Sequence, residues 1–216
     1  MSNIIVLGAG MVGSAMAVDL TGRHTITLCD INQDALQKVK LKCNDITVKT
    51  LDISSKEMLQ QCIAPFDLVI CAVPGYLGFV SLKSIIEAGK NVIDISFFAE
   101  DSLTLDSLAR ENNVTAIVDC GVAPGMGNLI LGHWNEKMKL TDFECVVGGL
   151  PKIKKWPFCY KAPFSPVDVI EEYTRPARYM QAGDMVVKEP LSDCEYLEFD
   201  KVGTLESFNS DGLRTL

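Results

Sequence analysis

Six short runs of β-branched and aliphatic residues recur at helix-length intervals through the first 119 residues: NIIVL (3–7), TITLCD (25–30), ITVKTL (46–51), DLVICAV (67–73), NVIDIS (91–96) and VTAIVD (114–119). They carry little polar alternation, which is how parallel strands covered on both faces read. The stretches between them, at 11–21, 32–43, 55–63, 77–88 and 101–112, fit helices, with Asp101 or Ser102 available to cap the last. This alternation predicts an α/β fold: a Rossmann-type, doubly wound parallel sheet that binds ligands beyond the carboxyl ends of its strands.

The rhythm changes after residue 120. One helix (126–138) and one strand (142–147) are expected, followed by GGLPKIKKWPFCYKAPFSP, which holds too much proline and aromatic side chain for a crossover. Ser165 before Pro166 marks a further helix start, and Gly183-Asp184 sits between two strand-like runs as a hairpin signal. Two domains are expected, a dinucleotide-binding domain over 1–121 and an α+β domain over 122–216. DGLRTL supplies no apolar closing element, so the second domain is expected to be incomplete.

Charge and cysteine usage narrow the partners. The 216 residues carry a net charge of -8, so no basic field exists for nucleic acid or an anionic membrane surface. The eight cysteines stand singly, without a C-x-x-C, and neither of the two histidines lies near them at zinc-ligand spacing. Reduced thiols, no metal and a cytoplasmic location are the expectations.

GAGMVG (8–13) follows the first strand and opens the first helix, the context in which G-x-G-x-x-G signals a dinucleotide. Gly8 permits the tight turn, Gly10 lets a pyrophosphate approach the backbone, and Gly13 lets the helix pack on the strand. The helix starting at Met11 and Val12 supplies N–H groups and dipole to the phosphates. Asp30, ending the second strand, is placed to hold the ribose hydroxyls; Ile31 and Asn32 follow, with no arginine for a 2′-phosphate, so NAD is favoured over NADP. Asp52 either accepts from the adenine amino group or caps a helix. Val73 and Pro74 end the fourth strand at the reversal point, where nicotinamide-side contacts belong.

A second glycine turn, DCGVAPGMGNL (119–129), leaves the sixth strand at the ligand-binding edge. The helix beginning near Gly125 and Met126 would aim N–H groups at a substrate carboxylate, unless the glycines serve only to carry the chain between domains.

With these motifs the sequence resembles the saccharopine dehydrogenase family, and within it the lysine 6-dehydrogenase type. The resemblance rests on VLGAGMVG, DCGVAPGMGNL, VGGLP (147–151), SPVDVIEEYTRPARYMQAGDMV (165–186) and LESFNSDGLRTL (205–216). It implies oxidation of an amino-acid C–N bond with a nicotinamide cofactor. Saccharopine reductases resemble one another in carrying G-x-D-P-G at the junction turn, where this chain has Ala123, which turns the expectation toward free lysine. A saccharopine dehydrogenase or a carboxynorspermidine-type reductase is the alternative. A non-catalytic dinucleotide-sensing module is a third reading. A small amino-acid substrate and a homodimer are the expected partners.

A lysine ammonium titrates near 10.4, so a base must take its proton before hydride can leave. The candidates are Asp94, Asp119 and Lys161 as acid or base, with Ser96, Gly125, Met126, Tyr160 and Arg175 for substrate binding; Arg178 is a second candidate carboxylate clamp.

Overall fold

The computed structural model describes residues 1–157, 159–212 and 214–215, and the chain divides into two compact units, Met1–Cys120 and Gly121–Leu216. Leu213 and Leu216 of the C-terminal motif lie outside the described residues.

The first unit holds β1 (Asn3–Leu7), α1 (Met11–Leu20), β2 (Thr25–Asp30), α2 (Gln33–Lys42), β3 (Thr47–Thr50), α3 (Lys56–Ile63), β4 (Leu68–Cys71), α4 (Gly75–Glu87), β5 (Val92–Asp94), a 3-10 turn at Ser102–Leu105, α5 (Asp106–Glu111) and β6 (Ala116–Ile117). The strands form one sheet in the order β3-β2-β1-β4-β5-β6, every pair parallel. That is the doubly wound order, with the reversal between β1 and β4.

Two apolar cores explain why the strands read as unbroken hydrophobic runs. Ile4, Val6, Ile26, Leu28 and Ile70 pack against Ala17 of α1 and Leu36 and Val39 of α2. On the other face Ile5, Leu7, Cys29, Val69 and Cys71 meet Leu59 and Ile63 of α3 and Leu82, Ile85 and Ile86 of α4. Neighbouring residues along a strand feed opposite cores, so both faces must be apolar.

Helix starts differ in a way that bears on function. Asn32 caps α2 through Ala35 N–H at 3.1 Å, and Ser55 caps α3 through Met58 N–H at 3.4 Å. Asp101 accepts from Leu103 N–H at 2.9 Å ahead of the last helical stretch. α1 and α4 begin at Gly10 and Pro74 with no side-chain cap. In α1, at the carboxyl end of β1, the first-turn N–H groups therefore receive no acceptor from an N-cap side chain.

The second unit holds α6 (Met126–Asn135), α7 (Pro166–Thr174) and two antiparallel hairpins, β7 (Ala177–Gln181) with β8 (Asp184–Lys188) and β9 (Glu195–Phe199) with β10 (Gly203–Ser207). Ser165 caps α7 with proline in its first turn. Ala182 and Gly183 both take positive φ between β7 and β8, as a two-residue hairpin turn requires. The strand expected at 142–147 does not form: among the described residues nothing pairs with it, and β-propensity without a ladder partner is insufficient. Among the described residues no helix is long and apolar enough to cross a membrane, and no group of three or more His, Cys, Asp or Glu is placed to hold a metal ion.

Candidate functional site

The three motif glycines are separated by what a side chain would meet at each. Gly8 sits at φ +103°, and a Cβ there would run into the Ala72 carbonyl; one on Gly13 would run into the carbonyl of Gly8. Both are demanded by the packing of α1 and the turn on β1 and β4. Gly10 is different: a Cβ on it meets nothing within 4 Å, and its φ of −69° suits any residue. No contact inside the protein requires glycine at position 10. The backbone here is open to an approaching ligand, the geometry a pyrophosphate-facing glycine has.

Asp30 closes the site from β2. Its Oδ2 accepts the Ala9 N–H at 2.6 Å and its Oδ1 the Asn32 N–H at 2.7 Å. The carboxylate thus ties the glycine turn to the end of β2 and keeps lone pairs for ribose hydroxyls. Gly8 N–H is held in turn by the Cys29 carbonyl at 2.8 Å. The uncapped N-terminus of α1, at Met11 and Val12, follows directly. These residues fit a dinucleotide: an open backbone approach, free helix N–H groups and a carboxylate for the ribose, all at one edge of the sheet.

Asp52 is exposed and accepts the Ser54 N–H at 2.9 Å, which holds its carboxyl below the ordinary range; the cap of α3 is Ser55, not Asp52. The Val73 side chain belongs to the core, leaving its backbone and exposed Pro74 to line the edge.

The acid and base candidates of this unit require correction. Asp94 has no exposed surface, and its carboxylate accepts the Ser96 N–H at 2.8 Å and the Ser96 hydroxyl at 3.3 Å. Ser96 is also buried, with its Oγ 3.8 Å from Cys71 Sγ. Asp119, at φ 51°, is buried as well. The cause is register: Asp94 pairs with Cys71 and shares its face, so the side chain enters the core rather than the crevice. Asp94 and Ser96 bond to one another and order the loop after β5 from inside the core. Burial lifts the Asp94 carboxyl to about 7, with the charge of Asp119 adding to the rise and bonds from Cys71 and Ser96 opposing it.

That shift has a measurable consequence. The native carboxyl holds a proton between its unfolded pKa of 3.8 and about 7 that the unfolded chain has released, so its contribution to stability falls as pH rises through that window and is level above it. Asp94→Asn keeps an acceptor for Ser96 N–H and removes the titration. Urea unfolding at pH 4 and pH 8 is expected to show the wild type losing up to about 4 kcal/mol more than the variant. Parallel losses would show that Asp94 is ionised throughout.

In the second unit the junction turn is closed on itself. Gly125, at φ +141°, would drive a Cβ into the backbone of Gly121. Its N–H donates to Asn128 Oδ1 at 3.3 Å, Met126 N–H to the Gly121 carbonyl at 2.9 Å, and Gly127 N–H to the Val122 carbonyl at 3.3 Å. The N–H groups expected to receive a substrate carboxylate at Gly125 and Met126 therefore already have acceptors, and the glycine serves the turn. Asn128, which composition and spacing did not single out, also donates to Thr215 Oγ1 at 3.0 Å.

Tyr160 packs edge-on to Tyr173, with centroids 6.4 Å apart, and burial raises its hydroxyl above the ordinary range. Lys161 has an exposed side chain and donates its backbone N–H to the Gly149 carbonyl at 2.8 Å. A Cβ on Gly149 would stand 2.9 Å from Tyr160 Cζ, so the VGGLP glycine and Tyr160 fit one another. Arg175 is paired with Glu171 at 2.9 Å. Arg178 does clamp a carboxylate through two nitrogens, but it is the chain's own Asp211, at 3.1 and 2.6 Å.

Comparison with known proteins agrees with this geometry. The family model described as "Saccharopine dehydrogenase NADP binding domain" matches residues 4–117, and the one described as "Saccharopine dehydrogenase C-terminal domain" matches 121–215. The chain is 26% identical over 173 residues to the alpha-aminoadipic semialdehyde synthase of Arabidopsis thaliana, covering 77% of this chain and 16% of that protein. It is 25% identical over 155 residues to the saccharopine dehydrogenase [NADP(+), L-glutamate-forming] of Pyricularia oryzae, covering 69% of this chain and 34% of that one. In fold it is similar to the apo saccharopine dehydrogenase (L-Glu forming) of Saccharomyces cerevisiae, with a TM-score of 0.73 at 16% identity over 98% of this chain and 50% of that chain. It thus spans between 16% and 50% of the lengths of these three proteins. Since the two family matches between them run from residue 4 to residue 215, the chain belongs to the saccharopine dehydrogenase family.

Proposed function

We propose that the chain serves an NAD-dependent oxidoreductase that acts on the C–N bond of an amino acid, with the ε-amine of lysine as the favoured substrate. The observation that carries this reading is Gly10, a glycine the protein itself does not require, next to Ala9, whose N–H is held by Asp30 at the end of β2. The dinucleotide, when bound, supplies the hydride acceptor. The N-terminus of α1 receives its phosphates, and Asp30 accepts from the ribose hydroxyls while repelling a 2′-phosphate.

Residues 31–34 are Ile31, Asn32, Gln33 and Asp34, so the segment after β2 offers no cation to a 2′-phosphate. This favours NAD, although the family model and the Pyricularia relative are named for NADP. Ala123 stands where the saccharopine reductases that this chain resembles carry aspartate, and this favours lysine. Of the three acid and base candidates only Lys161 has an exposed side chain, which supports it as the group that exchanges a proton with the amine. A homodimer remains part of the proposal.

Calorimetric titration with NAD and NADP, and absorbance at the nicotinamide band with lysine or saccharopine, test the two halves separately. Tighter NAD binding and faster reduction with lysine are expected. Equal or reversed affinities would remove the role of Asp30, and turnover with saccharopine alone would remove lysine.

A further inference from the structure

Cys29 and Cys62 lie outside the chemistry described so far. Cys29 of β2 is in register with Leu7 of β1 and Lys49 of β3, so these three side chains stand on one face of the sheet. α3 lays Leu59, Cys62 and Ile63 on that face. Cys29 and Cys62 share one buried core, where Cys29 and the charge of Lys49 both act on the Cys62 thiol. Both cysteines are free thiols. A thiol beside a cation, with a second thiol in reach, is the arrangement in which one sulfur attacks and the other resolves.

The roles divide by environment. The bond from Cys29, helped by Lys49, draws the Cys62 thiol below its ordinary range and favours its thiolate. The pairing with Cys62 and burial make Cys29 hold its proton. The Lys49 side chain is exposed, which gives the buried pair an edge toward solvent.

The same stretch of β2 supports the glycine turn. The Cys29 carbonyl holds Gly8 N–H at 2.8 Å, and the neighbouring Asp30 holds Ala9 N–H at 2.6 Å. Drawing Cys29 toward α3 would shift both anchors of the turn.

We propose that Cys62 and Cys29 form a peroxide-oxidised dithiol whose disulfide weakens dinucleotide binding at the Gly8–Gly13 turn. The Cys62 thiolate attacks one oxygen of hydrogen peroxide, the O–O bond breaks, and the departing hydroxide takes up a proton to become water. Cys62 is then a sulfenic acid. The Cys29 sulfur displaces the sulfenic oxygen, which leaves as water with the Cys29 proton, and the S–S bond forms. Two thiols and one peroxide give one disulfide and two waters; a dithiol reductant reverses the change. Closing the bond to about 2 Å draws β2 toward α3 at Cys29, the residue whose carbonyl anchors Gly8.

The dinucleotide effect rests on the reading of Gly10 and Asp30 above; the disulfide does not. The protein is treated with hydrogen peroxide, alkylated and mapped by peptide mass spectrometry, and NAD affinity is measured before oxidation, after it and after dithiothreitol. A Cys29–Cys62 cross-linked peptide is expected, with NAD affinity falling about tenfold and recovering on reduction. Cys62→Ser and Cys62→Ala are expected to keep the starting affinity and lose the response. Recovery of both cysteines as separately alkylated peptides overturns the proposal, as does a cross-link that leaves NAD affinity unchanged. A protein that fails to bind NAD even when reduced refutes the assigned cofactor and with it the coupling, while the cross-linked peptide still decides whether the dithiol exists.

Discussion

Replacing Gly125 by valine is expected to unfold the junction turn of the second unit rather than to trim its affinity for a ligand. Two costs combine. At φ +141° a β-branched residue is a conformational outlier, a strain of about 1–3 kcal/mol. The added Cβ also meets backbone, the carbonyl and nitrogen of Gly121, and backbone cannot swing aside as a flexible side chain would. The Met126 N–H bond to Gly121 lies in the same turn and would be lost with it. Together the loss should exceed about 4 kcal/mol, the range reserved for changes with a specific structural cause. Thermal melts of the wild type and variant check it. A variant that melts with the wild type but loses amine affinity would restore a carboxylate-binding role to this turn.

The second large effect is expected at Arg178. Asp211 is 1% exposed by side chain, and its carboxylate is held by Arg178 through the backbone N–H at 3.2 Å and two guanidinium nitrogens at 3.1 and 2.6 Å. The bonds tie the start of β7 to the segment after β10. Arg178→Ala leaves a buried carboxylate without its charge partner, at a cost of about 3–5 kcal/mol. Asp211→Asn, which keeps a polar side chain of similar shape, should cost less. Urea unfolding of both variants gives the comparison. Equal and small losses would mean that the pair is effectively solvated.

What the sequence made legible follows from how each signal arises. β1, β2, α1 and α2 lie within a residue or two of their expected bounds because apolar runs buried on both faces have sharp polar edges. The place of Asp30 at the end of β2 was legible because it depends only on where a strand stops. Asp94 was not: its burial depends on the β4–β5 register, which pairs it with Cys71, and register is a long-range property. The hairpin of β9 and β10 escaped notice because Leu197 and Leu205, a cross-strand pair, are flanked by exposed residues, leaving no apolar face to detect. The strand expected at 142–147 fails for the reverse reason. Its residues suit a strand, and no ladder among the described residues receives it.

Arg175 and Arg178 carry the same lesson about function. Two arginines flanking a proline resemble a carboxylate clamp, and the carboxylates that they hold are those of Glu171 and Asp211, which spacing alone does not reveal.

The central claim is that the edge of the first unit's sheet is a dinucleotide site whose open position is Gly10. It is tested most directly by titrating NAD into the wild type and Gly10→Val while recording the melting temperature of each. Because a Cβ at this position meets no protein atom within 4 Å, the melting temperature should hold, and NAD affinity should fall by at least about tenfold, or about 1.4 kcal/mol. A Gly10→Val protein that binds NAD as tightly as the wild type would contradict the claim.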